Sequence, residues 1–251
     1  MIYFVGAGSG APDLITVRGA RLLSEADVIV YAGSLVNPAL LDYKKDGCEV
    51  YNSAKMTLEE VIAVMAPAAK AGKTVVRLHT GDPCVYGAHR EQMDELDRLG
   101  LAYEVCPGVS SFCGAAAALK AEYTLPNVSQ SVILTRMEGR TPVLEKEQIE
   151  AFAAHGATMV IFLSAGQLAR LSERLIAGGY APDTPAAIVY KATWPDEKVV
   201  RTTVGELAAA GAREGITKTA LITVGGFLGT EYERSKLYDP TFTTEFREAS
   251  R

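Results

Sequence analysis

The sequence predicts an α/β protein of two domains, and three observations carry that prediction. Short β-branched runs alternate with helical segments through the first half of the chain. The alternation breaks at residues 120–130, KAEYTLPNVSQ. A second series of strands and helices then restarts. Strand–helix–strand alternation makes neighbouring strands parallel, because the crossover helix returns the chain to the same end of the sheet. The expected organisation is an N-terminal α/β domain at 1–119 with a mostly parallel sheet, a linker at 120–130, a C-terminal α/β domain at 131–228 with a mixed sheet, and a tail at 229–251.

Residues 2–5 form an apolar run, read as a buried strand, which ends in Gly6-Ala7-Gly8-Ser9-Gly10-Ala11-Pro12-Asp13. Thr16 is placed to cap a helix carrying Val17, Ala20, Leu22 and Leu23. A strand at 28–31 leads to a short helix at 38–43, and a third strand falls at 49–51. Thr57 opens an amphipathic helix with Leu58, Val61, Ile62 and Met65 on one face, which Pro67 is expected to kink or end. The strand at 74–78 runs into His79-Thr80-Gly81-Asp82-Pro83, where Gly81 tolerates positive φ and Pro83 lacks an N–H, and a helix follows to residue 98. A strand at 102–106 feeds Pro107-Gly108-Val109-Ser110-Ser111 and an alanine-rich helix to Leu119. In the second half, strands are expected at 131–135, 158–163, 186–190, 198–203 and 220–224, with helices at 145–153, 167–177 and 206–213. The short turn between 190 and 198 requires an antiparallel pair there. The tail has interspersed aromatics and reads as an extended arm, packed on the surface or on a second subunit.

The chain has 251 residues, 48% hydrophobic and 22% charged, which suits a globular enzyme. A formal net charge of −5 disfavours nucleic acid as the main partner, since phosphate binding wants a basic face. The four cysteines form no C-x-x-C pair and the histidines number three, so no metal site is expected, and free thiols fit a reducing cytoplasm. No apolar run approaches the about 20 residues needed to span a bilayer, so no membrane partner is expected.

Parallel strands ending at Val5, His79 and Cys106 would bring their three loops to one sheet edge, where ligands bind in open α/β sheets. Gly6-x-Gly8-x-x-Ala11 matches a dinucleotide fingerprint. Pro12, however, stands where the phosphate-binding helix should run, and Tyr31 and Ala32 stand where a ribose-binding acid should. Asp82 reads equally as a helix cap or a ligand contact, and so do Ser110 and Ser111. His79 and His155 read as structural. Arg136, Glu138 and Arg140 follow a strand tip, as solvated charges or as a grip for carboxylates. Lys191 and Trp194 follow another.

The stretches GAGSGAPDLITVRG, HTGDPCVYGA, PGVSS and VILTRMEGRTP, in this order, resemble the tetrapyrrole methylases. YKATWPDEKVVRTTV and YERSKLYDPTF narrow the resemblance to the corrin branch of that family. The resemblance covers nearly the whole chain. It implies a homodimer in which each subunit has two α/β domains with S-adenosylmethionine in the cleft between them. It places cofactor contacts on Pro12, Thr80, Gly81, Asp82, Val85, Ser110 and Ser111 in the first domain, and on Leu163, Ala192, Thr219 and Ala220 in the second. It turns the glycine loop toward the tetrapyrrole. Arg136, Arg140 and Lys191 are the candidates for the carboxylates of that substrate, and Glu138, Asp82 and Tyr190 are candidates for a proton acceptor, none preferred. Two rivals remain: a relative of the same fold acting on protein or ribosomal RNA (diphthine synthase or rRNA ribose methyltransferase type), and a non-catalytic dinucleotide-binding module.

Overall fold

The first half of the chain builds a five-stranded sheet whose pairings are all parallel, in the order β3-β2-β4-β1-β5. Its strands are β1 (Ile2–Gly6), β2 (Val28–Tyr31), β3 (Glu49–Asn52), β4 (Val75–His79) and β5 (Tyr103–Cys106). The computed structural model describes residues 1–250. Two compact units make up the chain: Met1–Gly114 with Ala192–Asp196, and Ala115–Lys191 with Glu197–Arg251. Residues 120–130 fall inside the second unit, where the Tyr123 carbonyl accepts from Thr158 Oγ1 at 2.9 Å and Leu125 pairs with Ser129.

In the first unit the central strands are apolar on both faces, as parallel strands covered by helices must be. One face carries Val5, Ile29, Val76 and Leu78 against Leu22 and Leu23 of helix α1 (Val17–Glu25). The other carries Phe4, Val28, Val30 and Val75 against Val61, Ile62 and Met65 of α2 (Leu58–Lys70) and Leu96 of α3 (Arg90–Arg98). Thr16 caps α1 by accepting from Gly19 N, and Thr57 and Glu60 form a reciprocal capping box on α2. Pro67 does not end α2. The helix continues to Lys70, and Ala71 N donates to Pro67 O at 3.0 Å. One missing backbone bond is outweighed by the buried face of Val61, Ile62, Met65 and Ala66. The short helix expected at 38–43 is a 3-10 helix, Pro38–Tyr43.

The second unit begins within α4 (Ser111–Leu119) and builds a mixed sheet in the order β6-β7-β10-β8-β9. Its strands are β6 (Val132–Arg136), β7 (Thr158–Phe162), β8 (Pro185–Tyr190), β9 (Lys198–Thr203) and β10 (Ala220–Val224), of which only the β6–β7 pair is parallel. Met159, Ile161, Ile188 and Ile222 pack against α5 (Ile149–Ala153), α6 (Leu168–Ala177) and α7 (Leu207–Arg213). The helix expected over 145–153 is interrupted. Gln148 is extended at ψ 155°, leaving a 3-10 turn at Glu145–Glu147 before α5. The tail is not an extended arm. Arg247 donates to the carbonyls of Leu237 and Asp239 at 3.1 and 2.6 Å and curls the segment on itself.

Candidate functional site

Because β1 lies between β4 and β5, the tips of those strands end side by side. Their loops are then stitched together. Ala7 N donates to His79 O at 2.7 Å, and Gly8 and Gly81 exchange both backbone bonds, at 3.2 and 3.0 Å. The approach of three backbones demands glycine. A Cβ on Gly6 would lie 2.5 Å from Gly108 Cα and 2.7 Å from Gly81 O.

Asp82 is the clasp of this cluster. It caps no helix, since α3 starts eight residues on. Its Oδ1 accepts from Cys84 N and its Oδ2 from Gly108 N, each at 2.8 Å, tying the loop after β4 to the loop after β5. Burial pushes the Asp82 carboxyl up, but the Cys84 and Gly108 N–H groups and the nearby His89 outweigh it, and it rests below its ordinary value. Thr80 and Gly81 precede this clasp, with Gly81 at φ 61°, and Val85 is half-buried after it. Ser110 is buried, and its carbonyl accepts from Cys113 N at 3.0 Å at the start of α4, with Ser111 beside it. A Cβ on Gly81 would touch Ser111 N at 3.4 Å, so the two loops lie against each other here.

The glycine loop behaves as its misfit to the dinucleotide pattern foretold. Pro12 opens a 3-10 turn, Pro12–Leu14, and no helix starts until Val17. The loop is instead held by the segment Ala192–Asp196. Ala11 N donates to Thr193 Oγ1 at 2.9 Å, Ser9 Oγ lies 3.2 Å from the same oxygen, and the Trp194 indole fills the space a Gly10 side chain would need. Ala192 is buried in this contact region. The role of Thr193 was not legible in the sequence, where Lys191 and Trp194 drew attention.

In the second unit the remaining candidates gather at one sheet edge. Ala220 pairs with Tyr190, and Lys191 N donates to Thr219 O at 3.0 Å. Leu163 continues β7 on the other side of β10. Leu163, Lys191 and Thr219 have φ of 54°, 45° and 56°, a concentration of positive φ in non-glycine residues at one edge. The Lys191 ammonium lies 5.4 Å from the Tyr190 ring centre. Arg136 ends the neighbouring strand, but its guanidinium donates to the carbonyls of Met137, Thr141 and Pro142 at 3.1, 3.3 and 2.9 Å. It shapes the loop that presents the exposed Arg140. Glu138 is engaged by Gln148, Arg170 and Arg174. Gln148 lowers its carboxyl most, burial opposes, and Arg170 adds to the lowering, which makes Glu138 a poor proton acceptor.

Among the described residues no group of three His, Cys, Asp or Glu is placed to hold a metal ion, and no helix is long and apolar enough to cross a membrane. His79 differs from its expected role as a satisfied structural histidine: its Nε2 is buried without a hydrogen-bond partner.

The chain is 54% identical over 249 residues to the cobalt-precorrin-4 C(11)-methyltransferase of Methanocaldococcus jannaschii, covering 99% of this chain and 96% of that one. It superposes on the X-ray structure of a cobalamin biosynthetic enzyme, cobalt precorrin-4 methyltransferase, with a TM-score of 0.89 at 50% identity, covering 91% and 96% of the two chains. A uroporphyrin-III C-methyltransferase from Thermus thermophilus, solved with S-adenosylhomocysteine, gives a TM-score of 0.73 at 28% identity over 90% and 92%. A family model described as Tetrapyrrole (Corrin/Porphyrin) Methylases matches residues 1–208. With its parallel first sheet, its mixed second sheet and its stitched loop cluster, the chain belongs to the tetrapyrrole methylases.

Proposed function

We propose that the chain is a methyltransferase that moves a methyl group from S-adenosylmethionine to C11 of precorrin-4 or cobalt-precorrin-4, a step of cobalamin biosynthesis. The observation that carries this reading is the near full-length likeness to a cobalt-precorrin-4 C(11)-methyltransferase. Any cobalt belongs to the substrate. The four free cysteines fit a reducing cytoplasm. Incubation with each tetrapyrrole precursor and S-adenosylmethionine, followed by mass spectrometry, tests the reading. The expected product carries one added methyl group at C11, and an unchanged tetrapyrrole overturns it.

The first unit supports cofactor binding by its chemistry. Glycines at 6, 81 and 108 let three loop backbones meet, the Asp82 carboxyl beside them is held below its ordinary value, and Ser110 and Ser111 open α4. Thr80, Gly81, Asp82, Val85, Ser110, Ser111, Pro12 and Ala192 are the residues proposed to hold S-adenosylmethionine there, with Leu163, Thr219 and Ala220 of the second unit also assigned to it. The cofactor supplies a sulfonium methyl, electrophilic enough for an electron-rich ring carbon to take without a metal or an enzyme nucleophile. What the chain contributes is positioning and exclusion of water. Arg140 and Lys191 are proposed to meet the carboxylates of the tetrapyrrole, with Arg136 holding the loop that carries Arg140.

Two variants separate these roles. Asp82→Asn loses an ionic acceptor to two N–H groups and is expected to weaken S-adenosylmethionine binding about tenfold, with a small loss of melting temperature. Arg140→Ala is expected to raise the tetrapyrrole KM about tenfold and to leave cofactor affinity and melting unchanged. Calorimetric titration beside steady-state kinetics checks both. An Arg140→Ala enzyme with wild-type constants removes Arg140 from the substrate site.

A homodimer belongs to the same reading. Tyr232, Leu237, Tyr238, Phe242 and Phe246 are all exposed, more apolar surface than a short solvated tail carries. Sedimentation as a monomer at micromolar concentration overturns this assignment.

A further inference from the structure

Immediately after the Asp82 clasp the chain makes a turn that few sequences adopt. Tyr86 and Ala88 have φ of 54° and 47°, and a Cβ on Gly87 would lie 2.1 Å from Pro83 O. Two non-glycine residues in the left-handed region on either side of a glycine form a strained segment, which persists only where its surroundings impose it.

The imposing groups are buried and polar. Gln92 of α3 donates from Nε2 to the Ala88 carbonyl at 2.9 Å. Its Oε1 accepts from Arg77 Nε at 2.9 Å, so the amide is fixed in orientation. Arg77 itself, 6% exposed, projects from the middle of β4 and donates to the Val30 carbonyl at 3.2 Å. It pairs with no carboxylate among the described residues. Two residues along the same face, His79 is 2% exposed and hydrogen-bonds to the Gly87 backbone. A buried guanidinium without a counterion is costly. An arginine that only filled a core position would be replaced by an apolar residue at no loss. Here it orients a glutamine that grips a strained carbonyl, while the histidine grips the adjacent one.

We propose that Arg77, Gln92 and His79 are positioning residues for methyl transfer, which hold the 84–88 turn through the Gly87 and Ala88 carbonyls in the conformation that sets Cys84 N on Asp82 and Val85 beside S-adenosylmethionine. The proposal rests on the methyltransferase reading above. Cys84 N on this turn donates to Asp82 Oδ1 at 2.8 Å and Val85 follows it, while Gly81 and the other Asp82 oxygen are held by Gly8 and Gly108. Loosening the turn therefore acts on the cofactor and spares Arg140 and Lys191, the residues proposed for the tetrapyrrole.

Gln92→Glu isolates the role. The new carboxylate still accepts from Arg77, and supplies the missing counterion, so the protein melts at or above the wild-type temperature. It has no N–H for Ala88 and repels that carbonyl. The expected result is a fall of about tenfold in kcat/KM for S-adenosylmethionine, tetrapyrrole KM unchanged within about twofold, and amide exchange at residues 84–89 faster by about tenfold. A merely structural Gln92 would be rescued by glutamate. Gln92→Ala, which breaks both bonds, shows the same kinetic loss together with a lowered melting temperature. A Gln92→Glu enzyme with wild-type kinetics and wild-type exchange overturns the network, and a wild-type protein inert toward every tetrapyrrole overturns the reading beneath it.

Discussion

Gly108→Ala melts about 6–12 °C below the wild type, the equivalent of about 3 kcal/mol for a chain of this size. The added Cβ would lie 2.2 Å from Gly81 O and 2.7 Å from Gly6 Cα. Both are backbone atoms of strand tips already hydrogen-bonded to one another, so no flexible side chain can give way. The change also pushes Gly108 N off Asp82, so cofactor affinity falls with stability. Gly139→Ala is the control. Its Cβ would meet only Gln167 Nε2, at 3.7 Å, and it should cost less than about 0.5 kcal/mol. Differential scanning calorimetry of the two variants decides. If Gly108→Ala melts with Gly139→Ala, the three loops are not as close as described.

Stability falls as the pH drops from about 6.5 toward 3, and His79 is a principal cause. Burial, with the charges of Arg77 and His89, pushes its pKa from 6.5 down to about 3. The sign follows from linkage. Above the unfolded pKa both states hold a neutral imidazole and the group is indifferent to pH. Below it the unfolded chain takes up a proton that the folded chain refuses, so unfolding gains until the folded pKa is reached. The full difference is roughly 5 kcal/mol, comparable with the whole stability of many domains. His79→Gln keeps a donor for the Gly87 carbonyl and removes the titration. Urea unfolding of both proteins between pH 8 and pH 4 should give curves that run parallel above about pH 6.5 and diverge below it, the variant declining less. Curves parallel throughout would mean that His79 takes up its proton as readily in the folded protein as in the unfolded chain.

The sheet edge that carries the candidate site was legible because its punctuation is local. Gly6, Gly81, Pro83 and Gly108 each end an apolar run, and parallel strands put such ends together. What the loops do with one another was not legible. Asp82 could be read as a helix cap because nothing in the chain says that its second oxygen meets Gly108 N, 26 residues away. Arg77 stood as a lone charge in the run VVRLH, a signal that something buried must receive it, but its partner Gln92 lies on a helix face that periodicity marks only as half-polar. Pro67 stays inside α2 because the buried face of that helix outweighs one lost backbone bond, a tertiary gain that local propensity does not register. The second sheet was harder again. Its antiparallel pairs β10–β7 and β10–β8 join segments whose order no short turn dictates.

The first unit is not finished when its first 114 residues exist. Its glycine loop is braced by Thr193 and Trp194, which the ribosome adds only after most of the second unit's strands. At about 5–20 residues per second, the nascent N-terminal sheet waits several seconds with Ala11 N unbonded and the face of Gly10 open to water. A fragment ending at Gly114 would form the five parallel strands yet leave that loop unbraced. The same dependence gives quality control a direct readout: a chain released before residue 194 lacks the indole that closes the loop, and its GAGSG segment is open to proteolysis however well the sheet beneath it has folded.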